Sequence, residues 1–258
     1  MAKITTKDLL DAGVHFGHLT RKWNPQMAPF IFMEKNGIHI IDLNKSLKQL
    51  EEAAAALQGI VRSGRKVMFV ATKKQAKDIV ETEAKKLKMP FVTERWLGGM
   101  MTNFSTIRKS LKKMQSIDKL MKDEAYTNMA KRERLMITRE RQKLERVMGG
   151  IAELNRLPAA LFVIDIKREH IAVAEAAKLN IPVYAMVDTN SDPNLVDHPI
   201  PANDDAFKSI NLITQYISAA MEAGLNERKK EKDEAKLAEE EAQKREVDQP
   251  ATEEKQEA

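Results

Sequence analysis

Aspartates cluster in the second half of the chain, each just past an apolar run. Asp165 ends the run Ala160-Leu-Phe-Val-Ile164, and Asp188 ends Ile181-Pro-Val-Tyr-Ala-Met-Val187. Both runs read as buried parallel strands. In open α/β sheets the carboxyl ends of such strands line the ligand crevice. Asp192, Asp204 and Asp205 follow closely. Carboxylates converging with an imidazole can hold a divalent cation. The loop Gly13-Val-His-Phe-Gly-His18 supplies one if it folds over the sheet. The candidate metal ligands are therefore His18, Asp188, Asp204 and Asp205. A plainer reading competes and is the favoured one: Asp204 starts a helix, Asp192-Pro193 makes a turn, and His15, His18 and His39 pack locally.

Other chemistry is harder to find. No Ser/His/Asp spacing suggests a nucleophile, and no pair of acids stands out for acid–base work. The strand–turn–helix at Val67 to Gln75 invites a nucleotide, but its turn reads Thr72-Lys73-Lys74. It has neither G-x-G-x-x-G nor G-x-x-x-x-G-K, and glycine is what lets a backbone approach a pyrophosphate. Lys73 and Lys74 are expected to touch RNA phosphates or to be solvated. Arg21-Lys22-Trp23 and Arg95-Trp96 each pair basic charge with an aromatic face, a combination suited to RNA. Trp96 can instead wedge into a core.

The elements that would position these groups include one unusual insertion. Residues 105–148 hold 13 Lys/Arg against 6 Asp/Glu. Apolar residues recur there at helical spacing: Ile107, Leu111, Met114, Ile117 and Met121, then Leu144 and Val147, continuing to Ile151 and Leu154. A break at Asp123 to Asn128 separates the runs. This predicts two antiparallel helices sharing a narrow seam. A long basic arm suits a protein that reaches across nucleic acid. Arg108, Lys109, Lys112 and Lys113 are candidate phosphate contacts.

The rest of the chain predicts an α/β fold. Thr6 to Ala12 is a short helix with Thr6 as N-cap. Ile31 to Asp42 is a hairpin about Asn36-Gly37. Helices are expected at Lys45–Val61, Gln75–Lys88, Glu169–Leu179 and from Asn203 or Asp204 to Met221. Strands are expected at Val67–Ala71, from Pro90, at Ala160–Ile164 and at Ile181–Val187. Near-continuous apolar strands alternating with helices predict a parallel sheet covered on both faces by helices. The expected organisation is a globular domain over 1–104 and 149–226, the inserted coiled-coil hairpin over 105–148, and a charged, disordered tail or frayed helix over 227–258.

Charge is distributed unevenly. The net +5 combines 30 Lys/Arg and 16 Asp/Glu in residues 1–148 with 13 and 22 in residues 149–258. A polyanion partner on the basic side only is expected. The absence of cysteine excludes disulfides and thiolate metal sites and fits a reducing compartment. No apolar run approaches the roughly 20 residues that span a bilayer. The N-terminal residues lack the apolar stretch of a signal peptide. A cytoplasmic location without membrane contact is expected.

Several segments in order resemble the S-two family of small-subunit ribosomal proteins, in its bacterial form. They are Ala12-Gly-Val-His-Phe-Gly-His18, Trp23-Asn-Pro25, Phe30-Ile-Phe32, Asn36-Gly-Ile-His-Ile-Ile-Asp42 and Arg95-Trp-Leu-Gly-Gly99. Leu157 to Asp165, Glu169-His170, Glu175, Asn180-Ile-Pro-Val183 and Val187 to Pro193 complete the set. The resemblance covers residues 5 to about 225. It implies a flavodoxin- or Rossmann-like sheet with a protruding coiled coil, no catalysis and no small-molecule substrate. It also implies a ribosome-bound protein that binds small-subunit ribosomal RNA near the head–body junction, contacts other small-subunit proteins and supports docking of the S-one protein. Two other readings stay open on the residues alone. One is an α/β enzyme using Asp165, Asp188 and Asp204 at the strand ends. The other is a coiled-coil adaptor for proteins.

Overall fold

A computed structural model of the chain describes residues 4–247. The N-terminal part is a helix, α1 (Thr6–Asp11), and a three-stranded antiparallel sheet of β1 (Phe16–Leu19), β2 (Ile31–Lys35) and β3 (Ile38–Ile41), in the order β1-β3-β2. Thr5, not Thr6, caps α1. Its hydroxyl accepts the Asp8 N–H, and the Asp8 carboxylate accepts the Thr5 N–H at 2.8 Å, a reciprocal capping box. The β2–β3 turn falls on Asn36 and Gly37, with φ of 54° and 73°. Two successive positive φ values are what the hairpin turn requires, and Asn-Gly meets them at least cost. β1 was read from sequence as a loop. Its Gly and His content hides a strand that pairs Phe16 with Ile40.

A second sheet, wholly parallel, holds β4 (Val67–Val70), β5 (Phe91–Val92), β6 (Ala160–Ile164), β7 (Val183–Val187) and β8 (His198–Pro201). Its order is β5-β4-β6-β7-β8. Counting only these five strands, the order is 2-1-3-4-5, the flavodoxin-like arrangement. β8 was not expected: His-Pro-Ile-Pro carries two prolines. They are tolerated because β8 is an edge strand. β4, β6 and β7 are buried along their whole length, so their side chains need no polar alternation.

One face of this sheet is covered by α2 (Leu43–Arg62), α3 (Lys74–Lys86) and α8 (Phe207–Val247). Phe69 and Phe162 meet edge to face there, 5.6 Å apart and without exposure. Burying each ring contributes about 2–3 kcal/mol. The other face packs α7 (His170–Lys178) and the root of the arm. Hence the two apolar clusters lie on opposite sides of one sheet, as a doubly wound fold demands.

The arm is inserted between β5 and β6, the connection that carries the chain from the sheet edge back past β4. It comprises α4 (Phe104–Leu120), a short helix α5 (Glu124–Asn128) and α6 (Lys131–Met148). The expected break at Asp123–Asn128 therefore contains one extra helix. Ile107, Leu111, Met114 and Ile117 are buried in the α4 seam, and Leu144 and Val147 of α6 are half-buried opposite. The expected boundary at residue 227 is not a break. α8 runs through it, and Gln58 and Arg62 of α2 bind Glu227, with Arg62 also pairing with Glu231. The tail beyond 247 lies outside the described residues. Among the described residues no helix is long and apolar enough to cross a membrane.

Candidate functional site

Two features stand apart from the packing: a cluster of ionisable groups at the strand ends, and the exposed basic arm. The cluster lies where β4, β6, β7 and β8 terminate. Asp165 follows β6 in the left-handed region, φ 66°, a conformation that Asp tolerates better than most residues. Asp188 follows β7 and is buried. Its Oδ1 accepts the N–H of Thr189 at 2.5 Å and the Thr189 hydroxyl at 3.1 Å. Asp204 and Asp205 lie between β8 and α8. Asp204 does not cap α8 as expected. Asn203 fills that turn, its Oδ1 accepting the N–H groups of Asp205 and Ala206.

The His-bearing segment does fold over the strand ends. Gly17 makes this possible, because a Cβ there would sit 2.6 Å from the Thr189 methyl. The next N–H, of His18, donates to the Thr189 hydroxyl at 2.8 Å. His18 Nδ1 then reaches Asp188 Oδ2 at 3.0 Å, and Nε2 lies 3.4 Å from Asp205 Oδ2. The hydrogen bond to Asp188 raises the imidazole above its ordinary value, against an opposing effect of burial.

Lys73 corrects the sequence reading. It is buried rather than solvated or turned to RNA. Its ammonium lies 2.8 Å from Asp204 Oδ1, 2.6 Å from Asp205 Oδ1 and 3.5 Å from Asp165 Oδ2. Burial opposes its charge, but these carboxylates, Asp204 foremost, hold the ammonium above its ordinary value. Burial, with Asp188 and Asp165 nearby, pushes the Asp204 carboxyl up in spite of Lys73. The Lys73–Asp165 contact joins the ends of β4 and β6, the switch point where doubly wound folds bind ligands. In this chain an internal ion pair spans that place.

Trp96 is the second correction. It is buried, so its face is not offered to RNA bases. Its indole nitrogen donates to Glu175 Oε1 at 3.1 Å. Glu175 also accepts the N–H groups of Gly99, Met101 and Thr102 at 2.7, 2.9 and 3.0 Å. Gly99 has φ 84°, the left-handed turn that gathers these donors. Burial alone would raise the Glu175 carboxyl; the Thr102 N–H, the indole and the other N–H groups outweigh it and hold the carboxyl below its ordinary value. Glu175 was among the residues that resemble the family, yet its anchoring role leaves no local signal, since its partners lie more than 70 positions away.

The remaining candidates are exposed. Arg21 and Lys22 form a 3-10 turn, and Trp23 is 38% exposed with one side tilted against His39. Lys74 and Arg95 face solvent. On α4, Arg108, Lys109 and Lys112 are exposed and make no ion pair among the described residues, whereas Lys113 pairs with Glu140 of α6. Two groups of cations were missed. Arg132, Arg139, Lys143 and Arg146 are exposed along α6. Arg168 stands at the strand-end rim, its Nε donating to the Thr72 hydroxyl at 2.9 Å. The α6 cations were legible as part of the basic segment; Arg168 was not.

Comparison with known proteins agrees with this picture. Residues 9–224 match the family model described as ribosomal protein S2. A protein of Cytophaga hutchinsonii named small ribosomal subunit protein uS2 is 70% identical over 246 residues, covering 95% of this chain and 97% of that protein. Proteins of the same name from Flavobacterium johnsoniae and Parabacteroides distasonis are 60% and 58% identical, covering 98% and 93% of this chain and 99% and 86% of theirs. This is a family of structural proteins and not of enzymes, which removes the strand-end enzyme reading. With sheet order, arm and relatives in agreement over nearly its whole length, the chain belongs to the ribosomal protein S2 family.

Proposed function

We propose that this protein is a structural constituent of the small ribosomal subunit in translation, and that it binds ribosomal RNA through its arm. The observation that carries the RNA interface is the set of exposed, unpaired cations on α4, Arg108, Lys109 and Lys112, projecting from a rigidly anchored root. Phosphate contacts from such side chains supply affinity with little sequence dependence. The globular domain is the platform and the arm the lever. Arg21, Lys22, Trp23, Lys74 and Arg95, exposed on the globular domain, add to the interface. The names of the relatives support the ribosomal assignment.

Residues 149–226 carry 10 Asp/Glu against 5 Lys/Arg, so this half is suited to solvent or a protein rather than to phosphate. Docking of the S-one protein near the head–body junction is the finer reading, supported by the family resemblance and by this charge division. The test is reconstitution of the small subunit with R108E/K109E/K112E. The variant is expected to fold and to be depleted from assembled subunits. Full incorporation would refute the arm as the RNA interface. S-one occupancy, measured in subunits lacking this protein, checks the finer reading.

A further inference from the structure

We propose that His18, Asp188 and Asp204 bind one divalent transition-metal ion, of the zinc or manganese class, at the carboxyl ends of β7 and β8. One ligand atom from each of these residues lies within 4.8 Å of the other two. The three come from separate stretches of chain and are brought together only by the fold.

A second observation points to a ligand independently of that clustering. Asp204 is fully buried, and its Oδ2 has no hydrogen-bond partner among the described residues. Its other oxygen is bound by Lys73. Buried carboxylate oxygens are normally satisfied, so an orphan here needs a cation or a donor from outside the chain. Charge leads to the same place. Three aspartates, at 165, 204 and 205, meet around a single ammonium, that of Lys73, while the fourth, Asp188, faces His18. Lys73 neutralises the side formed by Asp165, Asp205 and Asp204 Oδ1. Asp188 Oδ2 faces His18 Nδ1 at 3.0 Å and accepts the Asp204 N–H at 3.4 Å, and Asp204 Oδ2 is left without a partner among the described residues.

The ligands are already held. Thr189 fixes Asp188 through Oδ1, Lys73 fixes Asp204 through Oδ1, and Asn190 Nδ2 lies 3.2 Å from His18 Nε2. Such supporting contacts orient metal ligands and tune affinity. One imidazole with carboxylates suits zinc or manganese better than calcium or magnesium, which favour all-oxygen sets. Asp205 lies at the exposed edge of the cluster, its Oδ2 3.4 Å from His18 Nε2 and its Oδ1 held by Lys73. The ion would clamp β1 of the small antiparallel sheet to the strand ends of the parallel one. That role is structural, and it is independent of the RNA reading of the arm.

The experiment uses the full chain, stripped with a chelator and titrated with zinc chloride or manganese chloride against a chromophoric competitor. Elemental analysis after gel filtration counts the retained ion. One zinc or manganese per chain is expected, with His18→Gln and Asp188→Asn each weakening binding at least about tenfold. His170→Gln, at an exposed histidine outside the ligand group, should bind as the parent does. If Asp188→Asn fails to fold, His18→Gln decides alone, since the His18 side chain is 19% exposed where Asp188 is buried. No retained ion, equal binding by His18→Gln, or retention of magnesium only would each overturn the proposal.

Discussion

The Glu175 carboxylate lies 3.1 Å from the Trp96 indole nitrogen and also gathers three backbone N–H groups of the arm root. One acidic side chain on α7 thus sets where the arm leaves the domain. Glu175→Gln keeps the size but turns an amide NH2 group toward backbone donors. It should lower stability by about 2–3 kcal/mol, read from the urea midpoint. Hydrogen exchange at Met101 and Thr102 should quicken first. Unchanged exchange there would mean that the carboxylate does not anchor the root.

The same contact predicts a pH dependence. The folded Glu175 carboxyl is held below its ordinary value, so its stabilisation is present above the unfolded value, about 4.3. It is lost as pH falls through the lower folded value. The stability gap between the parent and Glu175→Gln should therefore be constant near neutrality and narrow below about pH 4. A gap that stays level down to pH 3 would contradict the shift.

Lys73 and Lys74 are neighbours with opposite fates. Lys73→Met leaves Asp204 and its companions without their ammonium and should cost about 3–5 kcal/mol. Lys74→Ala, at an exposed position, should stay within about 0.5 kcal/mol. Thermal unfolding of the two variants side by side checks this. Equal losses would remove the strand-end ion cluster as a structural element.

The arm should be ordered unevenly. Leu111 is 4% exposed in the α4 seam, so Leu111→Ala should cost about 2–4 kcal/mol in the free protein. Met136 on α6 is 64% exposed, and Met136→Ala should be near neutral. If the arm's tip is held only by RNA, exchange across α5 should be fast in free protein and slow in the subunit. Equal protection in both states would contradict this.

Much of the fold was readable because local and global signals agree. The apolar runs at Ala160–Ile164 and Val183–Val187 could only be interior strands, and Asn36-Gly37 fixed one hairpin. What escaped was non-local. β1 looked like a loop because Gly17 serves a close approach to Thr189, a residue over 170 positions away. β8 was hidden by prolines that only an edge strand admits. Lys73 read as a surface lysine because the three carboxylates that bury its charge come from two later segments, one after β6 and one after β8. Trp96 was ambiguous for the same reason, its partner being Glu175. The meeting of His18 with Asp188, Asp204 and Asp205 was visible only as the less favoured reading, because helix caps, turns and local packing account for the same residue types in sequence.

The central claim is that the arm's cations contact ribosomal RNA phosphates. The direct measurement is the affinity for small-subunit ribosomal RNA across a salt series, for the parent and for R108A/K109A/K112A. Three lost phosphate contacts should lower the slope of log affinity against log salt by about 2–3 and weaken binding most at low salt. A slope and affinity equal to the parent's would assign these side chains to solvent and contradict the account.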